Sequence, residues 1–136
     1  MEIVIREYRD SDLVSLNKLL SEVYNLEKSG TNSNNIELVA VIDQEVVGYL
    51  TINKLYDSVR DINYAFINYV CVLKKYRNKG IASNMLLKVF DICRDMNISY
   101  IELTSNSSRV DAQELYINSG FVIRETNVFR KELLWY

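Results

Sequence analysis

Apolar positions along the chain recur with two periods, and the switches between them outline the elements. Alternation over Glu2–Tyr8 predicts a first strand. Asp10 or Ser11 is then placed to cap a helix running to about Tyr24, with Leu13, Leu16, Leu20 and Val23 along one face. Asn25–Asn35 loses all periodicity and is rich in Asn, Ser and Gly, so it reads as a loop. Two apolar runs, Ile36–Ile42 and Val46–Tyr56, flank Asp43-Gln44-Glu45 and predict a hairpin. The polar connection Asp57–Asp61 leads to a third long strand, Ile62–Leu73, rich in aromatic and β-branched residues. A helical stripe follows, with Ile81, Met85, Val89, Cys93 and Met96 in line and Leu86 and Phe90 beside it. Ile98–Thr104 reads as a buried strand. Val110–Ser119 reads as a helix with Ala112, Leu115, Tyr116 and Ser119 on one side and Gly120 as its stop. Phe121–Glu125 and Val128–Trp135 complete the pattern as two further strands.

This order predicts an α/β (α+β) fold, a mixed sheet with helices on its faces. Ile62–Leu73, the following helix and Ile98–Thr104 form a βαβ crossover, so those two strands should run parallel. In such sheets ligands bind outside the carboxyl ends of the strands. One run lies at that point: Lys74-Lys75-Tyr76-Arg77-Asn78-Lys79-Gly80-Ile81-Ala82. A strand, a turn with four cations in six residues, and a helix start together describe an anion site. The first N–H groups of a helix have no intrahelical acceptor, and the helix end carries partial positive charge.

Composition narrows the owner of that site. The 136 residues, 49% hydrophobic and 25% charged, fit one globular domain over 1–136, with no repeat or low-complexity tract. A net charge of −2 argues against a nucleic-acid partner and makes the basic run a local feature. No apolar run approaches the ~20 residues that span a bilayer. Met1–Arg6 lacks the layout of a signal peptide, so the expected location is cytoplasmic with no membrane partner. The absence of histidine removes Ser-His and Cys-His catalysis and most catalytic zinc sites, and no metal is expected. Cys71 and Cys93, each inside an apolar pattern, read as reduced core thiols. Only four glycines occur (Gly30, Gly48, Gly80 and Gly120), too dispersed for a dinucleotide fingerprint or a Walker-type loop.

Arg77-x-x-Gly80-x-Ala82 resembles the Arg/Gln-x-x-Gly-x-Gly/Ala motif of the GNAT superfamily of acetyl-CoA-dependent N-acetyltransferases. Other segments resemble that family in order: the strand Tyr69–Val72 before the motif, Ala112-x-x-x-Tyr116-x-x-x-Gly120-Phe121 after it, the hairpin ending Val46-Val47-Gly48-Tyr49, and the tail Phe129–Leu133. The resemblance implies a mostly antiparallel sheet of six to seven strands with a splayed parallel pair and helices on both faces. It implies acetyl-CoA as co-substrate and direct attack by a primary amine through a tetrahedral intermediate.

The resemblance also implies a division of labour. Backbone N–H groups from Asn78 to Ser83, spanning Lys79, Gly80, Ile81 and Ala82, would cradle the pyrophosphate of coenzyme A, with Arg77 and Lys79 near phosphate oxygens. Gly80 suits close approach because it has no Cβ. Val70, Cys71 and Val72 would lie along pantetheine, and the Val72 N–H would polarise the thioester carbonyl. Tyr116 matches the tyrosine beside the departing sulfur. A phenol titrates near ~10 and a thiol near ~8.5, so full proton transfer to the thiolate is uphill by about 2 kcal/mol and a hydrogen bond is the safer role. Asn106 and Arg109 would lie near the coenzyme.

Two positions depart from the family pattern. Asn68 stands where a carboxylate base is common, which leaves Glu37, Glu102 or a water chain. Arg109 stands where asparagine is frequent, although some small-amine acetyltransferases resemble this chain there. Val23–Asn35, Tyr56–Tyr64 and Thr126–Phe129 would shape the acceptor pocket, with Tyr24, Tyr56, Tyr64 and Phe66 as aromatic wall. A small amine is the expected acceptor, with a peptide or protein N-terminus as alternative. A third reading is an acyl-CoA-binding module without catalysis. Both a monomer and a homodimer fit the pattern.

Overall fold

Strands form where apolar runs find an edge to pair with, and among the described residues five do so. The computed structural model describes residues 2–30 and 35–134. Its elements are β1 (Val4–Glu7), α1 (Leu13–Tyr24), β2 (Ile36–Ile42), β3 (Glu45–Asp57), β4 (Ile62–Val72), α2 (Ile81–Asp95), β5 (Ile98–Glu102) and α3 (Val110–Asn118). The sheet runs β1-β2-β3-β4-β5 in sequence order. Its first three pairings are antiparallel and β4 pairs β5 in parallel. The β2–β3 turn is tighter than its pattern suggests, because Asp43 and Gln44 both take left-handed φ (48° and 67°) and let Glu45 join β3.

The centre of the core is β3, where every residue from Val46 to Ile52 is buried. Helix α2 lies against one face through Ile81, Met85, Leu86, Val89 and Cys93. Its approach is set by Gly48, where an added Cβ would stand 2.9 Å from Met85 Sδ, 3.2 Å from Ala40 Cβ and 3.4 Å from Ile81 Cγ2. Helix α1 is buried through Leu16, Leu19 and Leu20, and its last residue, Tyr24, reaches the Val70 carbonyl of β4. Leu13, expected on the buried face of α1, is instead exposed, and Leu19 takes a core place.

The cap of α1 also differs from expectation. Residues Asp10–Asp12 form a 3-10 turn, and Asp12, not Asp10 or Ser11, organises the helix start. Asp12 accepts the Arg9 N–H (2.8 Å) and both arms of the Arg6 guanidinium (2.8 and 2.9 Å). That pair ties β1 to α1 and holds the Asp12 carboxyl below its ordinary range.

Six to seven strands are expected, and among the described residues the structure corrects this to five. Phe121 is anchored: its N–H donates to the Tyr116 carbonyl (3.0 Å) and its ring meets Phe90 and Tyr116. Beyond it the residues as far as Leu134 make no ladder, and Val122, Ile123, Val128, Phe129, Leu133 and Leu134 are exposed. Their alternation reports β-propensity, but a strand also needs a partner edge within hydrogen-bonding distance. Trp135, and positions 31–34 of the Asn-rich loop, lie outside the described residues. Among the described residues no helix is long and apolar enough to cross a membrane.

Candidate active site

The site begins as two irregularities in β4. The first is a bulge: Thr51 pairs with Asn68 and Tyr49 with Cys71, so Tyr69 and Val70 together face Leu50. Tyr69 takes the left-handed region at φ 60°, a strained choice for a tyrosine. The second is a fork. The parallel ladder runs from Asn63–Ile98 to Phe66–Glu102 and stops, while β4 continues to Val72. From Ile67 onward β4 has no strand on that side.

Which backbone groups face the gap follows from alternation. The Leu73 N–H donates to Val47 on β3 (2.8 Å). Successive residues turn to opposite edges, so the N–H and C=O of Val72 and Val70 face the fork. Two side chains there confirm it: Arg77 Nε donates to the Val72 carbonyl (3.1 Å), and the Tyr24 hydroxyl donates to the Val70 carbonyl (3.1 Å).

At one end of the gap is the predicted anion turn. Lys74–Tyr76 form a 3-10 turn whose first N–H is accepted by Glu22 of α1 (3.0 Å). Asn78 (φ 61°) and Gly80 (φ 78°) are both left-handed and bend the chain into α2. The first intrahelical bond runs from Asn84 N–H to the Gly80 carbonyl (3.0 Å), so the N–H groups of Ile81, Ala82 and Ser83 end the helix without an intrahelical acceptor. A Cβ on Gly80 would meet nothing within 4 Å, so the space over the helix start is open. Such a cradle suits a diphosphate. The four cations of the run do not act alike. Arg77 lines the gap, whereas Lys75 pairs with Glu45 (3.3 Å) and Lys79 lies outside the lining.

At the other end stand α3 and its lead-in loop. The whole cleft has a volume of about 520 Å³. It brings together Val70, Cys71, Val72, Arg77, Asn78, Gly80, Ile81, Ala82, Ser83, Arg109 and Tyr116, all chosen from sequence. Asn106 is not in the wall. Its side-chain oxygen accepts from the Ser108 N–H (2.9 Å) and hydroxyl (2.8 Å), and its carbonyl accepts the Arg109 N–H (2.9 Å), so it shapes the turn that starts α3. The pattern missed Tyr76, Ser108, Asp111 and Leu115, which line the cleft through the turns on either side. No motif marks them; only the closure of the two turns over the fork brings them in.

The titrating groups at this deep end share surroundings. Burial pushes the Cys71 thiol up to about 12, with Arg109 and then Arg77 pulling it down. Burial likewise raises the Tyr116 phenol above its ordinary value against the pull of Arg109. Tyr24 is raised by burial too, against the pull of the Arg109 charge. Both cysteines are free and buried. Among the described residues no cluster of three or more His, Cys, Asp or Glu is gathered.

The candidate bases separate. Glu37 accepts from the Tyr49 hydroxyl (2.5 Å) and pairs with Lys28 (2.9 Å), which also lies over the Tyr8 ring. Glu102 sits on the last rung before the fork with a looser partner, Arg124 at 3.8 Å. Asn68 lies in register with Thr51. The four aromatics grouped as an acceptor wall are dispersed: Tyr24 packs on Tyr69, Tyr64 stacks on Tyr100 (5.0 Å), Phe66 lies in register with Glu102 at the end of the parallel ladder, and Tyr56 bonds Asp61 at the β3–β4 tip.

A forked parallel pair with a helix N-terminus at one end and a buried tyrosine at the other is the architecture of an acyl-CoA-dependent acetyltransferase fold. The model of the acetyltransferase (GNAT) family matches residues 2–121, and the chain belongs to that family. It is 33% identical over 91 residues to the L-amino acid N-acetyltransferase AaaT of Escherichia coli (strain K12). That match covers 66% of this chain and spans 55% of the relative's length, little more than half. Solved structures agree on the fold. A transcriptional regulator from Bacillus halodurans C-125 superposes with a TM-score of 0.85 at 21% identity, over 96% of this chain and 100% of that one. An aminoglycoside acetyltransferase from an uncultured soil metagenomic sample superposes at 0.84 with 20% identity, over 98% and 100%.

Proposed function

We propose that the protein transfers an acetyl group from acetyl-CoA to a primary amine carried by a small molecule. The observation that carries this reading is the fork itself: an unpaired β4 edge joined at one end to an open helix start and at the other to Tyr116. The relatives named as amino-acid and aminoglycoside acetyltransferases support a small amine as acceptor.

In this reading the N–H groups of Ile81, Ala82 and Ser83, the open turn at Asn78–Gly80 and the Arg77 guanidinium hold the coenzyme pyrophosphate. Lys79 adds charge from the rim. The β4 edge at Val70, Cys71 and Val72 takes the amides of pantetheine as a strand would. The thioester carbonyl is polarised by the Val72 N–H, with the Val70 N–H one pleat further toward the bulge. Asn106 acts indirectly, by setting the turn that presents Arg109. The amine attacks the carbonyl carbon, the tetrahedral adduct collapses, and the sulfur leaves with Tyr116 donating a hydrogen bond to it. Glu102, at the fork and only loosely paired, is the better placed of the two carboxylates to receive the ammonium proton, because Glu37 is engaged by Lys28 and Tyr49.

The test is release of free thiol from acetyl-CoA across panels of amino acids, polyamines, aminoglycosides and short peptides. Turnover on small amines is the expected result. Turnover confined to peptides would move the acceptor to a protein N-terminus. Coenzyme binding with no turnover on any acceptor would leave a binding module and sink the transferase reading.

A further inference from the structure

Resting on the transferase reading, we propose that Tyr24 is a positioning residue for the thioester: its hydroxyl holds one of the two carbonyls that flank the Val72 N–H, and so keeps that stretch of the β4 edge electropositive. The order of polar groups along the fork is fixed by the chain. It reads Val70 N–H, Val70 C=O, Val72 N–H and Val72 C=O, with about 7 Å from one residue to the other. The Val72 N–H therefore stands between two carbonyl oxygens. Each of them already accepts from a side chain that comes from outside the strand. Arg77 Nε, from the turn, donates to the Val72 carbonyl (3.1 Å), and the Tyr24 hydroxyl, from the end of α1, donates to the Val70 carbonyl (3.1 Å).

Bare, those two oxygens would work against the reaction. As the C–N bond forms, the C=O pair of the thioester moves to its oxygen. It returns as the C–S bond breaks with its own pair going to sulfur, and the amine's surplus proton leaves to the base. The oxyanion on the Val72 N–H would then face the negative ends of two neighbouring peptide dipoles. A donor on each carbonyl draws that charge away, and hydrogen bonds in a chain polarise one another, so the N–H between them becomes the stronger donor. Arg77 does this with one of its five donors and keeps the others for phosphate. Tyr24 has no such second duty. It is not in the cleft wall, so it acts on the ligand only through Val70. Its placement is held from two sides. The ring meets edge-on (5.5 Å) that of Tyr69, the residue whose left-handed φ makes the bulge. Two residues earlier on α1, Glu22 accepts the Lys74 N–H (3.0 Å), so the last turn of the helix holds the chain on both sides of Val72. A phenol keeps its proton at neutral pH, and burial raises this one further, so the hydroxyl remains a donor.

Tyr24→Phe keeps the ring on Tyr69 and removes only the hydroxyl. The probe is acetyl-CoA isotopically labelled at the thioester carbonyl carbon, whose stretching frequency falls as the C=O bond is polarised. Infrared difference spectra of the bound thioester, taken without acceptor, would be compared between the natural protein and the variant, beside steady-state kinetics and calorimetry with coenzyme A. In the natural protein the bound band should lie below its position in solution, and in Tyr24→Phe it should move back toward that position. With the amine present, kcat should fall about tenfold, while KM for acetyl-CoA, KM for the amine and coenzyme A affinity stay within about twofold. Retained affinity also shows that the variant folds. An unmoved band would overturn the inference. A raised KM for the amine with kcat and band unchanged would make Tyr24 an acceptor contact and overturn it equally. Weaker coenzyme A binding with the band unmoved would leave Tyr24 a prop of the fold and nothing more. Failure of the transferase reading looks different: the natural protein would bind acetyl-CoA and turn over no acceptor, while the infrared band would still decide whether Tyr24 acts on the carbonyl.

Discussion

Gly80 meets two demands at one residue. Its φ of 78° is a conformation in which an L side chain is strained, and the space its missing Cβ leaves lies over the open N–H groups of α2. Gly80→Ala should therefore cost about 1 kcal/mol of stability from backbone strain. It should also weaken coenzyme A binding by about tenfold, because a methyl group enters the cradle. Calorimetric titration of the variant checks this, and unchanged affinity would show that the phosphates lie elsewhere. Tyr116 tests the other end. Its phenol is held on the buried side of α3 between Phe121 and the cleft, so Tyr116→Phe removes one hydroxyl and little packing. Turnover should fall about 10- to 100-fold with coenzyme affinity nearly unchanged, and full activity in the variant would dismiss the hydroxyl from the reaction.

At the scale of elements, the Arg6–Asp12 pair is the joint between β1 and α1. Asp12 is 7% exposed and accepts three hydrogen bonds, and its carboxyl titrates below the ordinary range. A depressed carboxyl stabilises the fold above its unfolded value near ~4 and loses that contribution as pH falls through the folded value. Asp12→Asn should cost about 1–3 kcal/mol at neutral pH, since Arg6 loses its charged partner while remaining partly hydrated. Urea melts across the acid range should show the gap between variant and natural protein closing as pH drops. A gap constant with pH would mean the pair contributes by shape alone. This joint also marks the limit of what periodicity reveals. The α2 stripe and the hairpin strands were legible because the local period already states which face is buried. The Asp12 cap was not, because its partner Arg6 belongs to another element and only the tertiary fold brings it near. The Tyr69 bulge left no mark either, since nothing in Asn68-Tyr69-Val70 differs from a regular strand. The tail misled in the opposite sense: Val128–Leu134 has the composition of a strand and joins no ladder.

For the whole molecule, the fork decides how the fold and its ligand depend on one another. The cleft is walled by β4, the turn into α2, and α3, three segments that meet there and share few bonds across the gap. The family resemblance named eleven of the residues that this cleft gathers, and for the turn at Arg77–Ala82 the residues alone also pointed there, because a helix start after a strand is a local signature. The width of the gap was not legible, since it depends on where β5 stops. A ligand that fills the gap supplies the hydrogen bonds that β4 lacks from Ile67 to Val72, and binds only the folded chain. At a hundredfold excess over its dissociation constant, such a ligand adds about 2.7 kcal/mol. For a chain of this length that is roughly a 10 °C rise in Tm. Coenzyme A should produce that shift, and adenosine 3′,5′-bisphosphate a smaller one at equal saturation of the phosphate cradle, because it leaves the β4 edge open. Amide exchange should localise the difference: both ligands slow exchange at Ile81, Ala82 and Ser83, and only coenzyme A slows it at Val70 and Val72. Equal protection of the strand by both ligands would mean that the arm of the coenzyme does not lie along β4, and the fork would then lose its part in the reaction.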